Sequence, residues 1–582
     1  MSKFFATNNA EWYNAIKNNV EKSPFKVSGD YQKDGFYAIS TYKLLVENDN
    51  FYQNGKDLII QTGTCVYHEV SGEPALKLAL ENYNGNLESH REDYLGNYGC
   101  LIKKGNDIVI FNEGAGFYDV FYYSKDDKWL VGTTVIDIAK VLADIISVNK
   151  MNVMEELTRF AIFGNETYFN EIKRLSGDQY LELSSTSLSV KALNLRINQT
   201  CTIDSETRVK DIAKDMKYVA GVMSKNFGQT TLGCTGGFDS RMTLAAYLSA
   251  GIKPKIAYGY GNSRVADSKV GDVEVNKEYS NRYGLDFHLA AWNETHPLDK
   301  LWDEYIQKFG RLIYDGCEDT YSFYTNKDEL FLSFGYMGEF YRESDWSKAI
   351  EPDNMTLDDY LWKNHADIFN KNIIEACPIL LQHWIKKWRK LNEEHGILSD
   401  NFKKEDLFWI NLAYRHSADS HMVNIINQYK YAHYLMSEII IIRNSYLNFE
   451  EKYNGRFMIK ILKELYPDIL QVPFFSHCQK MKFNESLMQL EQQYSIRLRS
   501  FISSFFPNSI KLFIKKLLKR DIVDTSYMDE VMSLLYKDEN DMKLRKLVGE
   551  NAFKAIIIQK NHSFLLRGII LCKTFDYLGI HY

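Results

Sequence analysis

"TTLGCTGGFDSRMTLAA", residues 230–246, is the stretch on which the fold turns. An apolar run ends at Cys234, the adjacent glycines Gly236 and Gly237 follow, and Asp239-Ser240 leads straight into a helical pattern. The flanking chain alternates in period. Residues 205–226 read as a helix with Ser205 as N-cap, 230–234 as a strand, and 240–250 as a helix stopped by Gly251. A strand (254–260), a helix (268–283) stopped by Gly284, and a strand (285–290) come next, and "ELFLSF" (329–334) is a further buried strand ending at a glycine turn. Strands and helices alternating at these lengths are the sequence form of a doubly wound parallel sheet.

Working outward, residues 1 to about 200 are β-rich. The runs 57–70, 98–113, 119–134 and 179–193 are punctuated by "GND", "KDD" and "SST" turns, with short helical segments at 74–83 and 135–147. From about 356 the pattern is helical. At 582 residues the chain is too long for one core, and the divisions expected are 1–200, 205–480 and a helical extension, 481–582. With 45% apolar and 25% charged residues the composition is that of a soluble globular protein. A net charge of −6 argues against nucleic acid as a partner. The eight cysteines include no C-x-x-C pair, so neither a zinc site nor a disulfide framework is expected. No signal segment and no apolar run of the roughly 18 to 20 residues needed for a membrane span is present, and a cytoplasmic location is the default expectation.

The turn has the chemistry of an anion site. Ligands of doubly wound sheets bind at the carboxyl ends of strands, where helix N-termini direct their N–H groups. Gly236 and Gly237 let the backbone approach an anion, and Thr235 and Ser240 add hydroxyl donors. Asp239 has the wrong sign for a phosphate unless a cation intervenes, which makes it a candidate Mg2+ ligand. The loop has no lysine and does not fit G-x-x-x-x-G-K-[ST]. The plainer alternative is a glycine turn that lets a helix pack closely on a strand.

The hexapeptide Thr235-Gly236-Gly237-Phe238-Asp239-Ser240 resembles the pyrophosphate-binding loop of the ATP pyrophosphatase (PP-loop) group. Two features resemble its asparagine synthetase-like branch. The front 200 residues, with Gly96-Asn97-Tyr98, "NEGAGFYDVFYY" and "WLVGTTVIDIAK", look like a class II glutaminase-type domain, which implies an N-terminal-nucleophile αββα sandwich. "LFLSFGYMGEFYRESDW" (330–346) looks like the second nucleotide-side loop. The resemblance implies ATP and Mg2+ as cofactors, with phosphates at 235–240 and backbone contacts to the nucleotide from Gly233, Ala257, Tyr258 and Gly335. Glu339 would be a second acidic metal contact, and Arg241 would reach a phosphate or a substrate carboxylate, or simply cap the acidic loop.

Working glutaminases of this type use an N-terminal cysteine. Here the start is Met1-Ser2 and the first cysteine is Cys65, so the front domain is expected to be inactive towards glutamine. Degenerate front domains also occur in β-lactam synthetase and lasso-peptide cyclases, the relatives nearest in logic. Tyr336 resembles the general-base tyrosine of the former, or is one packed aromatic among 39 tyrosines. In "NGRFMIKILKELYPDIL" (454–470), Arg456 and Lys460 fall on a basic pair that steadies charge at the reacting acyl group, or form an ordinary solvated helix face. Arg415 would contact an anionic substrate or form a surface salt bridge, and His288 is expected to be structural. Asp272 and Glu274 at the start of the helix after the second strand favour its dipole whether or not they bind a ligand. The basic amphipathic segment 508–520 would rest on a membrane surface or pack on its own domain.

The expectation is an AMP-forming carbon–nitrogen ligase. It would activate a carboxylate on a small molecule, sugar acid or peptide and pass the acyl group to an amine or ammonia, with a homodimer as one expected assembly, in bacterial surface-glycan or small-molecule modification. The alternative is a nucleotide-binding protein of the same fold that no longer turns over.

Overall fold

In the computed structural model of this chain the described residues are 2–159, 161–197, 204–261, 270–292, 326–342, 356, 368–395, 408–409, 412, 420–447, 449–452, 455–476, 479–481, 525–559 and 562–582. Arg415 and the amphipathic segment 508–520 lie outside them.

Short β-rich runs joined by polar turns become antiparallel strands in the front part. Along the chain come β1 (Phe4–Thr7), β2 (Val27–Lys33), β3 (Phe36–Thr41), β4 (Phe51–Asn54), β5 (Asp57–Tyr67) and β6 (Tyr94–Lys104). They are followed by β7 (Asp107–Asn112), β8 (Phe121–Lys125), β9 (Lys128–Gly132), β10 (Ile172–Arg174), β11 (Gln179–Leu183) and β12 (Leu188–Ala192). Among the described residues they form two sheets, ordered β10-β8-β9-β1-β3-β2 and β12-β11-β7-β6-β5-β4.

Alternation along the strands sets the layers, because successive side chains point to opposite faces. Phe4 and Ala6 of β1 share a core with Leu58 and Ile60 of β5, so the two sheets pack face to face. Phe5 between them packs instead with Tyr13, Ile16 and Val20 of helix Ala10–Glu21. On the other side, Ile59 packs with Leu76 and Leu80 of helix Glu73–Asn82. The order is helix, sheet, sheet, helix.

The second part is built on a parallel sheet of β13 (Thr230–Gly233), β14 (Lys255–Gly261), β15 (Phe287–Trp292), β16 (Phe331–Phe334) and β17 (Tyr431–Tyr434), ordered β15-β14-β13-β16-β17. Every neighbouring pair in it is parallel. The chain steps outward from β13 to β14 and β15, then returns to the other side of β13 as β16. The strand order therefore reverses between β13 and β16, which is where ligands of such sheets bind. Helices Phe238–Ser249 and Val270–Tyr283 make the crossovers, and Gly251 and Gly284 end them at φ 76° and 62°.

Two expectations are corrected. The cap of helix Ser205–Phe227 is Asp204, one residue earlier than expected, whose carboxylate accepts the Thr207 N–H at 2.8 Å. β17 falls within a stretch expected to be helical; four residues, "YAHY", form the fifth strand because β16 supplies the backbone partners.

Helix Ser420–Tyr429 locks the two parts together. Asn427 Oδ1 accepts Thr64 Oγ1 (2.9 Å) and Lys43 Nζ (3.1 Å), and Lys43 Nζ also donates to the Asn427 carbonyl (2.9 Å). Asn424 Oδ1 accepts the Asp119 N–H at 3.1 Å. The C-terminal helices Asn540–Val548 and His562–Leu578 pack on helix Lys150–Arg159 of the front part, and Phe575 meets Phe169 edge-on at 6.0 Å. No helix among the described residues is long and apolar enough to cross a membrane.

Candidate functional site

At the carboxyl ends of β13 and β16 two loops meet. Gly233 pairs in register with Ala257 on one side and Phe334 on the other. The second loop lies directly on the first: a Cβ at Gly335 would be 2.2 Å from Ser240 Cα, and one at Gly338 would be 1.9 Å from Asp239 Oδ1. Only glycine allows that approach. The turn 235–240 and the segment 335–342 thus form one constellation.

The turn is braced from within. Thr235 N–H donates to Ser240 Oγ (3.0 Å), and Gly237 N–H donates to Thr235 Oγ1 (3.3 Å). Gly236 N–H donates to Asp272 Oδ1 (2.7 Å), whose other oxygen accepts the Tyr258 hydroxyl (3.1 Å). Cys234 N–H donates to the Ala257 carbonyl (3.0 Å), and Asn276 Nδ2 donates to the Cys234 carbonyl (2.8 Å). Burial pushes the Cys234 thiol up to about 12, so it is no nucleophile. The face over Gly237 is open: a Cβ there would meet nothing nearer than Thr235 Oγ1 at 3.5 Å. Helix Phe238–Ser249 begins at N-cap Gly237 without a side-chain cap. An uncapped first turn beside an open glycine suits an anion.

Arg241 departs from expectation. Its side chain is fully buried, with Nη1 donating to the carbonyls of Ile469 (3.0 Å) and Val472 (2.6 Å) and Nη2 to that of Pro473 (2.9 Å). The guanidinium also stacks over the Phe474 ring at 3.6 Å. Burial holds its pKa below the ordinary arginine value, and both terminal nitrogens are engaged by backbone carbonyls. Arg241 is a clamp between the loop helix and residues 469–474, not an anion contact.

The two acidic candidates do come together, around a residue that sequence reasoning passed over. Arg342 Nε donates to Asp239 Oδ1 (3.2 Å), and Nη2 donates to Asp239 Oδ2 (3.3 Å) and Glu339 Oε1 (3.5 Å). Mg2+ requires open carboxylate oxygens in near-octahedral geometry. Here a guanidinium stands between the carboxylates and Gly338 lies beneath Asp239, so the pair as placed does not suit that metal. Among the described residues no group of three or more His, Cys, Asp or Glu side chains is arranged to hold a metal. The spacing of Arg342 three residues after Glu339 was the available signal.

Tyr336 lies in an aromatic cluster, 4.9 Å from the Tyr434 ring and 6.2 Å from Phe334, and its hydroxyl donates to Met422 Sδ at 3.6 Å. Gly455 comes within 3.9 Å of Phe238 of the turn, measured from its would-be Cβ, so the exposed Arg456 at the start of helix Arg456–Leu465 is near the loop. Lys460, one turn on, is also exposed, and its Nζ donates to Ser205 Oγ (3.4 Å) on the helix that precedes β13. His288 pairs with buried Glu329 at 3.5 Å.

The sequence matches no protein-family profile and no curated protein. Among solved structures the chain is similar to the glutamine phosphoribosylpyrophosphate amidotransferase from B. subtilis complexed with ADP and GMP, at 7% identity and TM-score 0.23 over 49% of this chain. That match spans 65% of the amidotransferase chain. A second similar structure is described as the allosteric regulatory enzyme of purine biosynthesis, at 9% identity and TM-score 0.23, covering 51% of this chain and 82% of that one. Similarity at this level does not bear on the activity of this chain.

Proposed function

We propose that this chain is an ATP-dependent, amide-forming ligase. The observation that carries the proposal is the uncapped N-terminus of helix Phe238–Ser249, open over Gly237 and placed where the strand order reverses. ATP would supply the activation of a carboxylate, with loss of pyrophosphate, before an amine or ammonia closes the amide. The carboxylate would belong to a small molecule, a sugar acid or a peptide.

In this reading the amides of the first helical turn, with the Thr235 hydroxyl at the exposed edge, hold the phosphates. Gly233 at the end of β13, with Ala257 and Tyr258 beside it within β14, would border the nucleotide through their backbone. Gly335 keeps the second loop against the first. Arg456, exposed at the start of its helix, would meet an anionic reactant arriving from solvent.

A second reading, nucleotide binding without turnover, is favoured by the Tyr336 hydroxyl being turned to Met422 Sδ and the Lys460 amine to Ser205. Pyrophosphate release from ATP, measured across a panel of carboxylates with and without amines, separates the two. Release that depends on a carboxylate and is lost in Gly237→Val supports the ligase; ATP binding with no release for any carboxylate supports the second reading. Absence of ATP binding removes both.

A further inference from the structure

We infer that Arg342, rather than a divalent metal, is the cation that meets phosphate at this loop. The inference rests on the nucleotide reading above and goes beyond it. The resemblance leads one to expect Asp239 and Glu339 to hold Mg2+, yet in the fold they flank a guanidinium. Arg342 meets Asp239 side by side, Nε to Oδ1 at 3.2 Å and Nη2 to Oδ2 at 3.3 Å, and Glu339 at 3.5 Å. The backbone of Gly338 beneath the Asp239 carboxylate fixes that oxygen pair in place.

These contacts are long for charge-assisted bonds, which run at about 2.7–2.9 Å. They are also partly solvent-exposed: the side chains of Arg342 and Asp239 retain 26% and 22% of their accessibility. An ion pair of this length in contact with solvent is worth little by itself. A phosphate oxygen at the helix N-terminus would arrive beside Asp239, the second residue of that helix, and so beside the guanidinium bound to it. Arginine suits an exchange of carboxylate for phosphate, because its planar fork matches phosphate as well as carboxylate and keeps its charge at every working pH. Asp239 and Glu339 then act as positioning residues for the arginine. A divalent cation and Arg342 are alternative occupants of the same two carboxylates.

The test is titration calorimetry of the full chain with inorganic pyrophosphate and with ATP, in EDTA and in Mg2+, for wild type, Arg342→Gln and Arg342→Lys. Wild type is expected to bind in EDTA within about threefold of its affinity in Mg2+. Arg342→Gln is expected to lose about tenfold or more in EDTA and to recover when Mg2+ is added, since the guanidinium no longer stands between the two carboxylates. Arg342→Lys, which keeps the charge without the fork, should weaken binding by a smaller factor in EDTA, and it serves as the readout if the glutamine variant melts below wild type. Wild-type binding that requires Mg2+, or Arg342→Gln binding like wild type in EDTA, overturns the inference and leaves the nucleotide reading standing. No binding of either probe in either buffer overturns the nucleotide reading and this inference with it.

Discussion

The backbone of Gly335 rests on Ser240: a Cβ at position 335 would lie 2.2 Å from Ser240 Cα and 2.6 Å from the Asp239 carbonyl carbon. Two segments almost a hundred residues apart in sequence are in backbone contact, and no side chain fits between them. Gly335→Ala should therefore push the loops apart. The expected cost is at least the ~1–3 kcal/mol of an overpacked core, with pyrophosphate binding weakened as well. Thermal melting and calorimetry check both; an unchanged melting temperature would mean that the contact is not there.

Arg241 makes a separate prediction. Its buried donors satisfy the carbonyls of Ile469, Val472 and Pro473. Arg241→Leu leaves those acceptors without their donor, at about 1–3 kcal/mol for each one stranded. Urea denaturation should show a loss of several kcal/mol, and Arg241→Lys should recover only part of it, because an ammonium cannot reproduce the fork.

Glu113 offers a pH signature. Burial pushes its carboxyl up to about 8, and Oε1 accepts the Tyr118 N–H at 2.8 Å. Oε2 is buried without a hydrogen-bond partner among the described residues, which suits a neutral acid. A folded-state pKa above the unfolded value means that the native chain holds a proton the unfolded chain releases. The contribution is complete below the ordinary glutamate range and is lost as pH rises from there to about 8, at up to ~1.4 kcal/mol per pH unit. Glu113→Gln should flatten the fall in melting temperature across that window. A profile identical to wild type would contradict a buried neutral acid.

The junction of the two parts is tested at Glu438. Its Oε1 accepts the Gly96 N–H of the front sheet at 2.7 Å and meets His433 Nε2 at 2.6 Å, with both side chains buried. Glu438→Ala leaves the Gly96 N–H and His433 Nε2 buried without their acceptor, an expected loss of about 1–3 kcal/mol for each in chemical denaturation. Glu438→Gln keeps an acceptor for Gly96 and should lose less.

Much of the second part was legible because its signals are local. Gly251 and Gly284 end helices with positive φ, and the β13 turn announces itself through adjacent glycines between an apolar run and a helical period. The front strands were legible from alternation and turn residues. β17 was not, because a four-residue strand is defined by the partner β16 rather than by its own pattern. The shift of the helix cap from Ser205 to Asp204 is of a smaller kind, since two adjacent polar residues compete for one position.

By itself, then, the sequence determined the parallel-sheet architecture and the place of the glycine turn at the end of β13, since capping, turn chemistry and periodicity act over a few residues. The contacts of that turn were decided by tertiary structure alone. Asp272 reaches Gly236 across 36 positions, Arg342 reaches Asp239 across 103, and Arg241 reaches Ile469 across 228. Which charge faces which depends on strand order and on glycines that let two loops touch, and no local pattern in the chain records that.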